Sequence, residues 1–288
     1  MSVKPAFENF RRELDESNDR RERLIKASRD ITNLSKKTIF LLHRLMLDED
    51  SAAKQQQCTG STSNGLDDRA LALNASKQGY LRLREVQELY AGLRHELGKE
   101  LFWRHERQVS PGLQEYIEAL SFAHYLEHGT LISYGEVQKS LSDSDGVPYF
   151  PLTVSDYLLG LSDLTGELMR YAISGLARKG GRKRAVDVCV FVRNCKADFE
   201  RYTPYIRELR KKQAVTSSSL EKIEDAVYAI FLRSSEYDIP PDMLDDIVAQ
   251  SISSLSVHPD NRRDHRVQGS IRTLGFESRD MSGDEDGF

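Results

Sequence analysis

The sequence predicts an all-α protein, a single domain built as a bundle of about seven helices. Apolar residues recur every three or four positions over most of the first 250 residues, the spacing of helices with one buried face. Residues 6–47 contain few helix breakers and predict one helix that extends the whole height of the domain. No pair of segments has the alternation of paired strands, and no internal repeat is found.

Further helices are predicted in order after this first one. They cover residues 66–98, 112–128, 134–141, 156–172, 185–212, 218–235 and 241–250. Ser110 followed by Pro111 is typical of a helix start, although a kink within a longer helix would give the same pair. Thr153 or Ser155 is expected to cap the helix that begins near Asp156.

Two polar stretches interrupt or follow the helical domain, which we expect to span residues 1–250. Residues 48–66 are rich in Gly, Ser and Thr and predict a flexible linker. Residues 251–288 are polar with scattered charge and predict a disordered tail. The segment ARKGGRKR at 177–184 predicts a basic loop that could bind phosphates, act as a nuclear-import signal or simply be solvated.

Composition excludes several classes of protein. The net charge of −4 argues against coating nucleic acid through bulk positive charge, although local basic patches are possible. The three cysteines lack metal-ligand spacing and favour reduced thiols in the cytosol or nucleus. There is no apolar signal core, and no run approaches the ~18 apolar residues of a membrane span. We therefore expect an intracellular protein without a membrane partner.

The predicted helix over 156–172 is apolar round most of its circumference, with acids in its only polar seam. Asp163 and Glu167 are four residues apart, where like charges repel by roughly 0.2–0.5 kcal/mol. That repulsion is small compared with the several kcal/mol for removing an unpaired carboxylate from water. Burial of this helix therefore demands a cation, which could be Arg170 or a metal ion.

A second acidic pair, Glu115 and Glu118, interrupts the apolar face of the predicted helix over 112–128. If the two helices pack closely, which the small residues Gly160, Gly166 and Ala119 would permit, four carboxylates meet. Each negative charge raises the pKa of its neighbours, so such a group needs a cation. Carboxylate oxygens without a nearby thiolate favour Mg²⁺ or Mn²⁺.

Other interpretations of these residues are open at this stage. Such acidic pairs are common in helices by chance, and Arg170 or other basic residues could neutralise them. Trp103, with Phe102 and Tyr90 nearby, could stack on a nucleic-acid base or pack in the core.

The segment HYLEH at 124–128 matches the H-x-x-E-H pattern of inverted zinc peptidases. His124 and His128 could hold zinc, but Gly129 ends the helix at once and no third ligand can be singled out. They also project away from Glu115, so the simpler interpretation is a pair of histidines at the negative end of the helix dipole.

Four long segments carry a resemblance to a known family. They are SRDITNLSKKTIFLLHR at 28–44, GLQEYIEALSF at 112–122, VSDYLLGLSDLTGELMR at 154–170 and SLEKIEDAVYAIFLRSSE at 219–236. The chain resembles the translin family over most of residues 6–250, and in particular the member of that family that assembles with translin. The basic segment at 177–184 and the C-terminal tail do not share the likeness.

The resemblance implies a translin-like fold of about seven helices and obligate assembly with translin into a closed hetero-octameric barrel. It also implies a Mg²⁺-dependent endoribonuclease that acts on single-stranded RNA. The implied substrates are the passenger strand of small interfering RNA, whose removal activates the silencing complex RISC, and tRNA processing fragments. A cytoplasmic and nuclear location fits this activity. The alternative is a non-catalytic subunit that binds translin or nucleic acid as a scaffold.

The catalytic acids of the family lie in motifs that correspond here to Glu115, Glu118, Asp163 and Glu167, all of which are acidic. Under this hypothesis Glu115, Glu118 and Asp163 bind Mg²⁺ directly, while Glu167 binds it too or holds and deprotonates the attacking water. Arg170 would orient Glu167 or contact the phosphate.

Overall fold

The structure is a computed structural model that describes residues 4–47, 64–98, 100–176 and 181–236. Its elements are α1 (Lys4–Leu47), α2 (Asn64–Gly92), α3 (Arg94–Leu97), α4 (Leu101–His128), α5 (Tyr134–Ser140), α6 (Val154–Ser174), α7 (Gly181–Glu200) and α8 (Arg207–Glu236). Within those ranges there is no strand, only one isolated bridge between Ser142 and Pro148. The predicted all-α class is confirmed, with α1 as the long first helix.

Helix α4 is the central element of the bundle. It packs along α1, α2 and α6, and α6 packs in turn on α7 and α8. At one end of α4 the ring of Phe102 stacks on Phe150 with centroids 5.3 Å apart, and Tyr90 completes this buried cluster. Trp103 is 59% exposed. The expectation that it packs in the core is therefore wrong, although its ring meets the edge of the Phe102 ring with centroids 5.2 Å apart.

Helix α4 also runs unbroken through Pro111, so the predicted helix start at Ser110 is wrong and the alternative of a longer helix is correct. Proline lacks the amide hydrogen that a continuous helix would use at this position. Neighbouring helices bind the residues on either side of the proline. The Gly112 amide donates to Ser28 Oγ of α1 at 3.1 Å, and Ser110 Oγ donates to Asp156 Oδ2 of α6 at 3.1 Å instead of capping a helix.

The predicted helix over 185–212 is also divided differently, because α7 ends at Glu200. The amides of Arg201 and Tyr202 bond to carbonyls three residues back, which tightens the chain into turns. Pro204 has no amide hydrogen and disfavours a helical conformation at the residue before it. Helix α7 therefore ends before this proline, at Glu200, twelve residues before the predicted position.

Helix α8 then continues through residues 213–217, where the sequence predicts a break between two helices. The polar run there faces the protein. Thr216 is buried, and its hydroxyl lies 3.2 Å from the Thr165 hydroxyl of α6. This contact gives the polar side chain a partner inside the helix, so it does not end the helix.

Thr153 is the N-cap of α6, as one of the two predicted alternatives has it. Its hydroxyl accepts from the Asp156 amide at 3.0 Å. The buried Asp156 carboxylate accepts in turn from Gln114 at 2.8 Å. The start of α6 is thereby bound to the middle of α4.

Helix α4 ends at Gly129, which adopts a left-handed conformation with φ of 71°.

The close approach of α4 and α6 depends on Gly160. A Cβ atom at this position would lie 2.7 Å from Ile117 Cβ and 2.9 Å from the Gln114 carbonyl oxygen. Ala119 is fully buried. At Gly166, by contrast, a Cβ would meet nothing within 4 Å. The prediction of small residues at the crossing is correct for Gly160 and wrong for Gly166.

Other predictions fall partly or wholly beyond the described ranges. Most of the linker at 48–66, the helix at 241–250 and the tail from 251 lie there, although α2 already begins at Asn64. The basic segment is not a continuous loop, since residues 181–184 belong to α7. No helix in the described ranges is both long and apolar enough to span a bilayer.

Replacing Gly160 by alanine is expected to lower the free energy of unfolding by about 1–3 kcal/mol, because the added methyl group clashes with Ile117. Gly166→Ala is the matched control on the same helix. With open space around it, this change is expected to leave stability unchanged or raise it by up to about 1 kcal/mol. Urea unfolding of the full-length chain measures both, and equal midpoints for the two variants would contradict the close crossing.

Candidate functional site

The crossing of α4 and α6 brings the four predicted acids together. Glu118 lies at the centre of the group and is largely buried. Burial raises its pKa, and the charges of Asp163, Glu115 and Glu167 raise it further, to about 9. The charge of Lys212 opposes this shift. The structure thus places the other three carboxylates within electrostatic reach of Glu118.

Basic side chains hold the three outer acids. Lys36 Nζ lies 3.1 Å from Glu115 Oε1, and Lys212 Nζ pairs with Asp163 Oδ2. Glu167 Oε2 has two partners, with His43 Nε2 at 2.6 Å and an Arg170 guanidinium nitrogen at 3.1 Å. Helix α1 therefore supplies Lys36 and His43, α8 supplies Lys212, and α6 itself supplies Arg170.

Glu118 differs from the other three acids. Its carboxylate has no hydrogen bond or ion pair with any residue in the described part of the chain. Interiors seldom leave a carboxylate in this condition, because an unpaired buried charge costs several kcal/mol. At neutral pH the group must hold a proton or receive a cation from outside the chain. The site therefore has a local deficit of positive charge centred on Glu118.

The donor set fits a hard divalent cation in its chemistry. Carboxylate oxygens are the ligands that Mg²⁺ and Mn²⁺ prefer, and no thiolate lies among the four acids. Across the described residues, however, no three acidic, histidine or cysteine side chains already form a group that could hold a metal. The outer acids instead point to their basic partners. A cation at Glu118 would have to compete with Lys36 and Lys212 for them.

The structure thus combines both interpretations of the acids. The neutralising partners that the alternative required are present for Glu115, Asp163 and Glu167, and Arg170 is among them. They leave Glu118 without a partner. The sequence analysis missed Lys36, His43 and Lys212. A signal existed for the first two, since they are seven residues apart, two turns on one face of a helix.

The histidines of the H-x-x-E-H segment form no metal site with the residues described. The rings of His124 and His128 are 4.5 Å apart, and His124 Nε2 lies 3.2 Å from the Thr130 hydroxyl. Burial lowers the pKa of His124, and the neighbouring His128 lowers it further. Since no third ligand accompanies them in these ranges, the zinc-peptidase interpretation is unsupported.

Comparison with known proteins places this arrangement in a family. Residues 19–234 match the Translin family. The chain belongs to the translin family. The matched range contains the four acids and all of their basic partners.

Individual members of the translin family are similar to the chain to different degrees. Translin-associated protein X of Mus musculus is 36% identical over 264 residues, which cover 84% of this chain and 82% of the relative. Its homologue in Schizosaccharomyces pombe is 29% identical over 241 residues, covering 80% and 88%. Translin of Homo sapiens is 26% identical over 149 residues, covering 51% and 65%.

Solved structures share the fold of the chain. The crystal structure of apo-NeC3PO has a TM-score of 0.57 at 20% identity and covers 78% of this chain and 97% of its own. The AfC3PO–duplex RNA complex has a TM-score of 0.54, also at 20% identity, covering 78% and 95%. At such identities the likeness concerns the translin-family fold alone.

We expect the stability of the chain in EDTA to fall as pH rises from about 4.5 to about 9, because of Glu118. Over this range the folded carboxyl keeps its proton while the unfolded one, with an ordinary pKa of 4.5, has lost it. Glu118 is therefore expected to lower the free energy of unfolding by up to about 1.4 kcal/mol for each pH unit in this range.

Glu118→Gln is expected to flatten this dependence and to raise the melting temperature most at pH 8. Glu127→Gln is the control, nine residues along the same helix. Thermal melts from pH 5 to pH 9 measure the slopes. The same slope in wild type and Glu118→Gln would contradict the assignment of a buried, unpaired carboxylate.

Proposed function

We propose that the chain is the catalytic subunit of an endoribonuclease, formed with translin, that cleaves single-stranded RNA with the help of Mg²⁺ or Mn²⁺. The observation that carries this proposal is Glu118, which is partly buried among three other acids and has no partner in the described ranges. Membership of the translin family supports translin as the partner, and the likeness to AfC3PO, solved with duplex RNA, supports RNA as a ligand.

The four acids are the groups that would hold the cation, with Glu118 at the centre and Glu115 and Asp163 beside it. When bound, the cation supplies Lewis-acid polarisation of the phosphodiester. In its absence Lys36 and Lys212 neutralise the outer acids.

In this proposal Glu167 accepts the proton of the attacking water. Its carboxylate is held at 2.6 Å by His43, which keeps one oxygen in place and can share the proton that Glu167 receives. Arg170 is half exposed and lies 3.1 Å from the same oxygen. From there it can orient Glu167 and contact a phosphate oxygen of the substrate.

The finer part of the proposal follows the family resemblance. The assembly is a closed hetero-octameric barrel with translin, found in the cytoplasm and the nucleus. Its substrates are passenger-strand fragments of small interfering RNA, whose removal activates RISC, and tRNA fragments.

One observation favours a second candidate, a non-catalytic scaffold subunit. Three of the four acids are already paired with basic side chains, as in an ordinary structural network between helices. In that case the network would hold α1, α6 and α8 on α4 and would have no chemical role. The two candidates differ in what the acids are needed for.

Asp163→Asn is expected to lower RNA cleavage by the complex with translin by roughly 10²–10³-fold, because it removes a negative charge from the proposed cation site. Assembly should be unchanged. Asp225→Asn, at an exposed position of α8, is the control for the same chemical change. Cleavage of a labelled single-stranded RNA is measured with and without EDTA.

The scaffold candidate predicts the opposite outcome for these variants. Changing Glu115, Glu118, Asp163 and Glu167 together to amides would leave cleavage untouched if another subunit performs it. Full activity in Asp163→Asn would remove this residue from the mechanism. Size-exclusion chromatography of each complex separates lost chemistry from lost assembly.

A further inference from the structure

Phe40 is an exposed residue in the segment of α1 that contacts the acids. It is 63% exposed. It lies four residues after Lys36, which contacts Glu115, and three before His43, which contacts Glu167. Residues at these spacings share one face of a helix. The ring of Phe40 therefore projects beside the acidic site, between the two side chains of α1 that enter it.

On its other side Phe40 borders a groove between α1 and α2, which we call the α1–α2 groove. Its volume is about 590 Å³, within the range of ~300–1,000 Å³ that is usual for ligand sites. Side chains that line it include Lys37, Phe40, Leu41, Arg44, Arg82 and Glu85. Phe40 thus lies between the groove and the two residues of α1 that contact the acids.

The charge of the α1–α2 groove is opposite to that of the whole chain. Three basic residues line it, whereas Glu85 is the acid among the lining residues and lies 3.3 Å from Arg82. Neither Lys37 nor Arg44 forms an ion pair with another residue of the described ranges. The chain as a whole carries −4. Within those ranges, two cations without an ion-pair partner lie beside an exposed aromatic ring. This part of the surface is therefore suited to a negatively charged ligand.

A single strand of RNA matches this combination of groups. Flat bases stack on exposed aromatic rings without sequence preference, while phosphates bind to lysine and arginine. Successive turns of α1 are about 5.4 Å apart, so a strand held at the acids reaches Phe40 with its neighbouring nucleotide. An acidic peptide would use the same cations but has no flat group for the ring.

We propose that the α1–α2 groove binds the RNA strand on one side of the cleaved phosphate, with a base stacked on Phe40 and phosphates on Lys37 and Arg44. This inference rests on the proposed function, because it takes RNA as the substrate of the neighbouring acids. It adds a binding surface that determines where along the strand cleavage takes place.

Crosslinking in EDTA tests the groove without cleavage. A thiouridine-containing single-stranded RNA is bound to the full-length chain in complex with translin, irradiated and mapped by mass spectrometry. We expect adducts on the segment of α1 that contains residues 37–44. Phe40→Ala should abolish these adducts and weaken RNA binding about tenfold, and Phe40→Trp should restore both.

Matched controls are available on the same protein. Phe10 lies on α1 far from the acids and is 56% exposed, so Phe10→Ala should change neither adducts nor affinity. Replacing Lys37 and Arg44 by glutamine should make the slope of log binding constant against log salt concentration shallower, by up to about 0.7 for each lost phosphate contact. Lys222→Gln, at an exposed position of α8, should leave the salt dependence unchanged.

Two results would overturn the inference. One is unchanged RNA affinity in Phe40→Ala with no adducts on α1. The other is a complex that loses a subunit in Phe40→Ala while the remaining assembly binds RNA as before, since the groove would then cover a protein surface.

The proposed function fails separately from the groove. Adducts on Phe40 together with full cleavage by Asp163→Asn would reject the catalytic acids and retain the groove. Cleavage that depends on Asp163, without adducts on α1, would reject the groove and retain the acids.

Discussion

The constraint on which this site depends is the cost of a buried carboxylate that has no counter-charge. Glu118 is placed under that constraint by the crossing of α4 and α6, where Gly160 lets the two backbones approach. The fold could relieve the cost by separating the helices or by supplying another basic residue. Instead it surrounds Glu118 with three further acids. A partly buried carboxylate in such surroundings forms a site that is completed by a proton or by a cation from outside.

The basic residues around the acids limit this cost without removing it. Lys36 and His43 belong to α1 and Lys212 belongs to α8, so the acids also bind these two helices to α4 and α6. His43 is buried, whereas Lys36 is more than half exposed. A long exposed lysine can leave its partner and enter water at little cost. The pairs made by lysine are therefore suited to exchange, and the one made by His43 is suited to hold Glu167 in place.

The sequence predicted what local patterns determine. The two acidic pairs, the long first helix and the glycine at the helix crossing all follow from spacing along one segment. Features that depend on distant partners were missed. The helix that contains Pro111 is bound to Ser28 and Asp156 on either side of the proline, and α8 crosses a polar run where Thr216 meets Thr165. Lys212 could not be assigned to Asp163, because 49 residues separate them and the pairing depends on how α8 packs on α6.

Residues of helix α1 contribute to both the acidic site and the α1–α2 groove, because of their spacing along the helix. Lys36 and His43 are two turns apart and each contacts one acidic pair, so the residue between them must project from the same face. Phe40 at that position is 63% exposed, so its ring is available to a ligand or a partner. Within the described ranges Lys37 and Arg44, one turn away, have no ion-pair partner, so they favour a negatively charged ligand such as the phosphates of RNA.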